Sequence, residues 1–153
     1  MDFIYEKDIT SATRAEIYAL TQALSPEFFT PDFPDSLRRD MLMQRAFCLR
    51  EGGSIRAAIV YTGMEGSAYI NVMLAAPGHA GKGAGSALMA AFVGHVEAEY
   101  GLRSIDLDTF SPETKPSYAA TVAFYEKHGF AITRRTPDYW GPGTLTLRME
   151  KTW

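Results

Sequence analysis

The stretch Gly81-Lys82-Gly83-Ala84-Gly85-Ser86 combines residue types and spacing that invite chemistry. Glycines let a backbone approach a ligand closely and turn successive N–H groups toward it. A helical stripe of Leu88, Phe92 and Val96 follows, so the segment opens a helix and gains the partial positive charge of its N-terminus. Such a loop suits an anion, most naturally a phosphate; a plain turn into a tightly packed helix uses the same residues. The P-loop pattern G-x-x-x-x-G-K-[ST] fails here, because Ala76 stands five residues before Gly81 and Gly83 follows Lys82. The dinucleotide fingerprint G-x-G-x-x-G is met at Gly81 and Gly83 only, with Ser86 in the third glycine position and no second βαβ half. It stays open as an alternative, with Asp106 or Asp108 as the ribose acid.

Other candidate groups are sparser. Cys48 is the single cysteine, which excludes an intrachain disulfide and a multi-cysteine zinc site. Flanked by Phe47 and Leu49, it reads as a small core residue rather than an acyl-accepting nucleophile. His79, His95 and His128 lack metal-ligand spacing, so no metal is expected. Asp106 and Asp108 alternate onto one face of a strand, as candidate proton acceptors or as a simply polar face. Glu27, Asp32 and Asp35 lie in a Pro-rich stretch, where they attract a cation or are merely solvated. Tyr139 and Trp140 sit among Gly and Pro, as apolar walls of a site or as packing.

The elements that must position these groups follow from periodicity. Phe3-Ile4-Tyr5 opens as a strand, and Thr10 or Ser11 caps a helix with a stripe of Ala15, Ile17, Tyr18, Ala19, Leu20 and Leu24. Residues 36–45 form a second short helix with Leu37, Met41 and Leu42 inward. A meander follows: Phe47 to Leu49, a Gly52-Gly53 turn, Ile55 to Tyr61, a turn at Gly63 to Gly66, and Ala68 to Ala75. The glycine loop, its helix and the strand Ser104 to Thr109 make a crossover, which requires a parallel pair joined right-handedly. Tyr118 to His128 is a helix stopped by Gly129, and Phe130 to Arg135 and Thr144 to Glu150 close the sheet. The expected fold is a mixed α/β arrangement of six to seven strands, mostly antiparallel with one parallel pair, and about four helices.

The chain's 153 residues suit one domain over 1–153, and 46% hydrophobic content suffices for a core. A net charge of −3 with no dense basic run argues against nucleic acid as partner. No run reaches the roughly 18 apolar residues of a membrane span. With one cysteine and no signal-like start, a cytoplasmic location is expected.

Two blocks together bear a family resemblance. Residues 77–88, Pro-Gly-His-Ala-Gly-Lys-Gly-Ala-Gly-Ser-Ala-Leu, resemble the signature Q/R-x-x-G-x-G/A of the GNAT superfamily, the acetyl-CoA-dependent N-acetyltransferases. Gly83 and Gly85 match its glycines, and Ala80 replaces the Gln/Arg. Residues 118–130, Y-A-A-T-V-A-F-Y-E-K-H-G-F, resemble the ending of that family's last large helix. The order of elements around both blocks agrees as well.

The resemblance implies an N-acetyltransferase moving an acetyl group from acetyl-CoA directly to the amine of a small molecule such as an amino acid, polyamine or amine antibiotic. A non-catalytic acyl-CoA-binding sensor is the alternative from another class. It implies that Met73, Leu74 and Ala75 pair with the pantetheine arm, and that the loop groups Gly81, Lys82, Gly83, Ala84, Gly85 and Ser86 hold the pyrophosphate. Tyr125 takes the position of the acid that protonates the departing thiolate. Tyr118 stands where many members carry an asparagine on the cofactor, and Thr121 where they carry alanine. Tyr69 and Asn71 fall where some members carry a carboxylate, so a water relay to an acidic group serves as the base. An edge strand near the C-terminus is a candidate homodimer edge.

Overall fold

In the computed structural model, residues 1–153 are described except Pro26, Ala80 and Leu102 and the side chain of Tyr100. A seven-stranded sheet runs in the order β1-β2-β3-β4-β5-β7-β6. Its strands are β1 (Asp2–Glu6), β2 (Arg45–Glu51), β3 (Ser54–Met64), β4 (Ser67–Ala75), β5 (Ser104–Phe110), β6 (Ala131–Pro137) and β7 (Leu145–Thr152). The helices are α1 (Ser11–Leu24), α2 (Phe33–Asp40), α3 (Ala84–Tyr100) and α4 (Ala119–Lys127). All strand neighbours are antiparallel except β4 and β5. The expected mixed α/β sheet with one parallel pair and four helices is the observed fold.

The turns are set by backbone chemistry. Gly52 and Gly53 both take positive φ, 60° and 80°, where Glu51 and Ser54 face each other across a two-residue hairpin. The next hairpin turns later than expected, at Glu65-Gly66, because Met64 and Ser67 still pair.

Two apolar layers cover the sheet. One gathers Leu88, Met89, Phe92 and Val96 of α3 and Val122 and Tyr125 of α4 against Ile59, Ile70, Leu107 and Leu147. The other packs Ile17 and Leu37 against Ala46, Cys48, Ala58, Val60, Val72 and Leu74. Helix α1 buries a narrower line than expected: Thr13, Ile17 and Thr21, while Ala15 and Ala19 face solvent. Both threonines are satisfied in place, since Thr13 Oγ1 donates to Glu6 and Thr21 Oγ1 to the Tyr18 carbonyl, so polar atoms are buried without an orphan. The second helix also departs from expectation. It starts at Phe33, with Pro34 in its first turn, and ends at Asp40. A 3₁₀ turn over Met41–Met43 then rotates Leu42 outward, to 66% exposure, while Met41 stays buried.

One irregularity matters for the site. Val60 faces Val72 across β3 and β4, but Tyr61 faces Ile70, so Asn71 is an extra residue on β4. Such a bulge bends its strand and re-aims side chains. Ile70 accordingly belongs to the layer under α3 and α4, and Val72 to the layer under α1 and α2.

Ile17→Ala should cost about 2–5 kcal/mol in urea unfolding, because it opens a cavity in the α1 layer. Leu42→Ala should stay within about 0.5 kcal/mol of the parent, which separates the observed 3₁₀ turn from an inward Leu42.

Candidate acyl-transfer site

Strands β4 and β5 pair only at Ala68 with Ile105, Tyr69 with Asp106 and Ile70 with Leu107. Beyond the Asn71 bulge the two strands part. The Ala76 N–H donates to the Arg56 carbonyl at 2.9 Å, and antiparallel pairs alternate between bonded and non-bonded positions. Given the register of Ala58 with Leu74 and Ile59 with Met73, Leu74 spends its backbone groups on β3. Met73 and Ala75 turn theirs toward the gap left by β5.

That gap is the mouth of a cavity of about 510 Å³. Its walls include Tyr69, Met73, Leu74 and Ala75 of β4, Leu107, Asp108 and Phe110 of β5, and Tyr118, Thr121 and Tyr125 of the last helical segment. Phe28, Phe29, Asp32 and Phe33 close it from the connection between α1 and α2, and Trp140 from the connection between β6 and β7. A concave, largely apolar pocket with a few polar groups is the usual form of a small-molecule site.

Tyr125 is placed by the end of its helix. Gly129, at φ 90°, lets the Gly129 N–H reach the Glu126 carbonyl and the Phe130 N–H reach the Tyr125 carbonyl, at 3.1 and 3.0 Å. This is a Schellman cap, whose accompanying apolar contact is met by the Tyr125 and Phe130 rings, with centroids 5.5 Å apart. Lys151 Nζ donates to the neighbouring His128 carbonyl. The Y-E-K-H-G-F run is therefore a device that fixes one phenol. That phenol lines the cavity and makes no hydrogen bond among the described residues. Burial, aided by the nearby Tyr118, pushes it well above the usual tyrosine range, so it stays protonated.

The glycine loop adjoins the same mouth. Gly81 and Gly83 take φ of 75° and 85°, and Gly83 passes directly into the right-handed turns of α3. A left-handed residue followed by a right-handed one points successive N–H groups into a shared concavity, and the first helical turn adds N–H groups with no intrahelical acceptor. A Cβ at Gly85 would touch the Phe124 ring at 3.5 Å and Met73 Cε at 3.7 Å. The helix start is thus seated against both α4 and β4. Lys82 and Gly83 are exposed, and Ala84 is half-buried. The Ser86 hydroxyl is engaged with His128 Nε2 at 3.0 Å, leaving its N–H as the group available for a ligand. Ala80, at the signature's Gln/Arg position, lies outside the described residues.

The acidic candidates divide. Asp108 accepts from Tyr69 Oη at 2.7 Å and from Arg148 Nε and Nη2 at 2.8 and 3.0 Å. Burial and that carboxylate push the Tyr69 phenol well above the usual tyrosine range. Asp106 accepts from Ser104 instead. Asp35 pairs with Tyr18 and Arg38, whereas Asp32 lines the cavity. Glu27 uses its carbonyl to accept from Ser117. Tyr118 donates to the Phe28 carbonyl, which ties the α1–α2 connection to α4. Trp140 packs edge-on to Phe110, centroids 4.7 Å apart, as an apolar wall, and Tyr139 is 64% exposed. Sequence reasoning missed the aromatic wall of Phe28, Phe29, Phe33 and Phe110; the Phe28-Phe29 pair within a polar loop was the available signal. Arg148 was missed as the partner of Asp108, since their pairing depends on the β5–β7 register.

Cys48 is fully buried in the layer opposite Tyr125, and burial pushes its thiol up to about 12. Among the described residues no three His, Cys, Asp or Glu side chains gather as a metal site requires. No helix among them is long and apolar enough to cross a membrane. Among the described residues the sheet has one parallel pair and no second βαβ half for a dinucleotide.

Comparisons with known proteins agree with this geometry. Residues 15–130 match the acetyltransferase (GNAT) family model. A protein from Desulfovibrio desulfuricans, assigned provisionally to that family, superposes with a TM-score of 0.82 at 19% identity, covering 99% of each chain. The ribosomal-protein-S18-alanine N-acetyltransferase from Escherichia coli gives 0.78 at 17% identity, covering 99% of this chain and 94% of its own. An aminoglycoside 6′-N-acetyltransferase in complex with coenzyme A gives 0.76 at 16%, covering 99% and 97%. No curated protein matches in sequence.

Alkylation of Cys48 by iodoacetamide at pH 8 should be undetectable in the native protein and complete in denaturant, a contrast that mass spectrometry reads directly. Native labelling would contradict the buried placement. The match over residues 15–130, on the fold described above, makes the chain a member of the GNAT family of acetyltransferases.

Proposed function

We propose that residues 1–153 act as one N-acetyltransferase unit, which moves an acetyl group from acetyl-CoA directly to the amine of a small molecule. The observation that carries the reading is the convergence of three features on one mouth: the parted β4 and β5 strands, the N–H groups of Gly81 to Ser86, and the unbonded phenol of Tyr125. The fit to acetyl-CoA rests on the Gly83 backbone. Its left-handed conformation and open Cβ side create an N–H concavity suited to a pyrophosphate.

When bound, acetyl-CoA supplies the activated thioester carbonyl. Met73 and Ala75 offer strand backbone to the pantetheine amides beside Leu74, and Gly81, Lys82, Gly83, Ala84, Gly85 and Ser86 hold the pyrophosphate. An N–H on β4 near Ala75, turned away from β3, stabilises negative charge developing on the carbonyl oxygen. Asp32, which lines the cavity and has no ion pair among the described residues, gives the acceptor wall a negative charge that draws an ammonium in, and the proton leaves through water to a carboxylate. Tyr125 then hands its proton to the departing thiolate. A free tyrosine at pKa about 10 is a weaker acid than a thiol at about 8.5, and burial pushes the phenol up further. The same low-dielectric surroundings raise the basicity of the thiolate, which restores the transfer.

A cavity of about 510 Å³ closed by Trp140 and the α1–α2 aromatics supports a small acceptor. The buried Cys48 supports direct transfer without an acylated enzyme. Tyr125→Phe should lower kcat at least about 100-fold, the lower bound for a positioned acid, with the KM for acetyl-CoA and the melting temperature little changed. An unchanged kcat would remove the role.

A further inference from the structure

The face of β5, β7 and β6 that points away from α3 and α4 carries a second cavity, of about 310 Å³, lined by Asp108, Arg134, Thr136, Tyr139, Thr146 and Arg148. It meets the first at Asp108, which lines both. The sheet register sets its chemistry. Asp108 faces Arg148, and Arg148 faces Arg134, so two guanidiniums stand directly opposite each other on one face. Like charges so placed repel. One carboxylate, Asp108, offsets one of them, and Arg148 spends Nε and Nη2 on it. Arg134 is exposed and has no ion pair among the described residues. In the next row, Thr146 is 3% exposed, and its buried Oγ1 has no hydrogen-bond partner among the described residues. A buried hydroxyl left unpaired is costly in a folded protein and calls for an explanation.

We propose that this second cavity binds a carboxylate of the acceptor, so that the acetylated amine belongs to an amino-acid-like molecule rather than a polycation. The carboxylate accepts from Arg134 and from the Thr146 hydroxyl, with Arg148 adding charge behind Asp108. Guanidinium suits a planar carboxylate because its fixed donors match the two oxygens. The amine of the same molecule then lies on the other side of Asp108, in the cavity that holds Tyr125. A polycation such as spermidine meets a repulsive pair of arginines here. The proposal rests on the acyl-transfer reading and specifies its substrate class.

The test compares common amino acids with their carboxamides and with spermidine as acceptors, following thiol release from acetyl-CoA. The wild type should favour acids over amides by about tenfold or more in kcat/KM, the scale of one charge-assisted hydrogen bond. Arg134→Gln, on an exposed position, should erase the preference by raising KM for the acids. Thr146→Val should weaken it as well, while raising the melting temperature because the orphan hydroxyl is gone. Amides or spermidine favoured by the wild type, or an equal loss on every acceptor in Arg134→Gln, would overturn the proposal. Thermal denaturation with acetyl-CoA alone and with amino acids alone separates the two readings. No effect of acetyl-CoA and no thiol release sinks acyl transfer. Stabilisation by amino acids that disappears in Arg134→Gln still supports the carboxylate site, and its absence from the wild type overturns it.

Discussion

The seam between β4 and β5 is held by three register pairs and then opens, and the single extra residue Asn71 marks where it opens. A parallel seam is paired through slanted, evenly spaced hydrogen bonds, so losing it exposes N–H and C=O groups along both strands. At Met73 and Ala75 the protein's own partner strand has moved away, so these half-buried backbone groups face the cavity, where the proposed cosubstrate would pair with them. The bulge also moves Val72 and Leu74 into the layer under α1 and α2, while Ile70 stays under α3 and α4. One inserted residue therefore couples the opening of the seam to the packing of both apolar layers.

The helices meet this opening from two sides by different physical means. Helix α3 arrives through backbone conformation, with Gly83 in the left-handed region and Gly85 seated against Phe124 and Met73. Helix α4 arrives through its cap, in which Gly129 and Phe130 fix the last turn that carries Tyr125. The far wall is aromatic, formed by Phe28, Phe29 and Trp140, and the polar face beyond Asp108 extends it. An overall charge of −3 does not oppose the two proposed anion sites, because the loop offers backbone N–H groups and Arg134 and Arg148 stand opposite each other across β6 and β7.

Much of this was legible in the residues. The glycine spacing marked the start of a helix, the Gly52-Gly53 turn was read from composition, and the alternation of Asp106 and Asp108 onto one face held. Other features were not legible because they depend on contacts between distant segments. Leu42 looked apolar and inward, but Pro34 and the 3₁₀ turn set its direction. Thr13 and Thr21 lie outside the apolar stripe of the helix, yet hydrogen bonds to Glu6 and to the Tyr18 carbonyl let them be buried. The bulge at Asn71 leaves no mark in the strand's composition, and the opposition of Arg134 and Arg148 appears only once a second bulge fixes the β6 register.

On the proposed function, the opened seam and the glycine loop together receive acetyl-CoA. Amide chemical-shift mapping of the labelled protein during titration with acetyl-CoA tests it residue by residue. The largest shifts should fall at Met73, Ala75 and Gly81 to Ser86, with the amides of β1 and β2 undisturbed. Shifts centred elsewhere, or none at saturating acetyl-CoA, would contradict it.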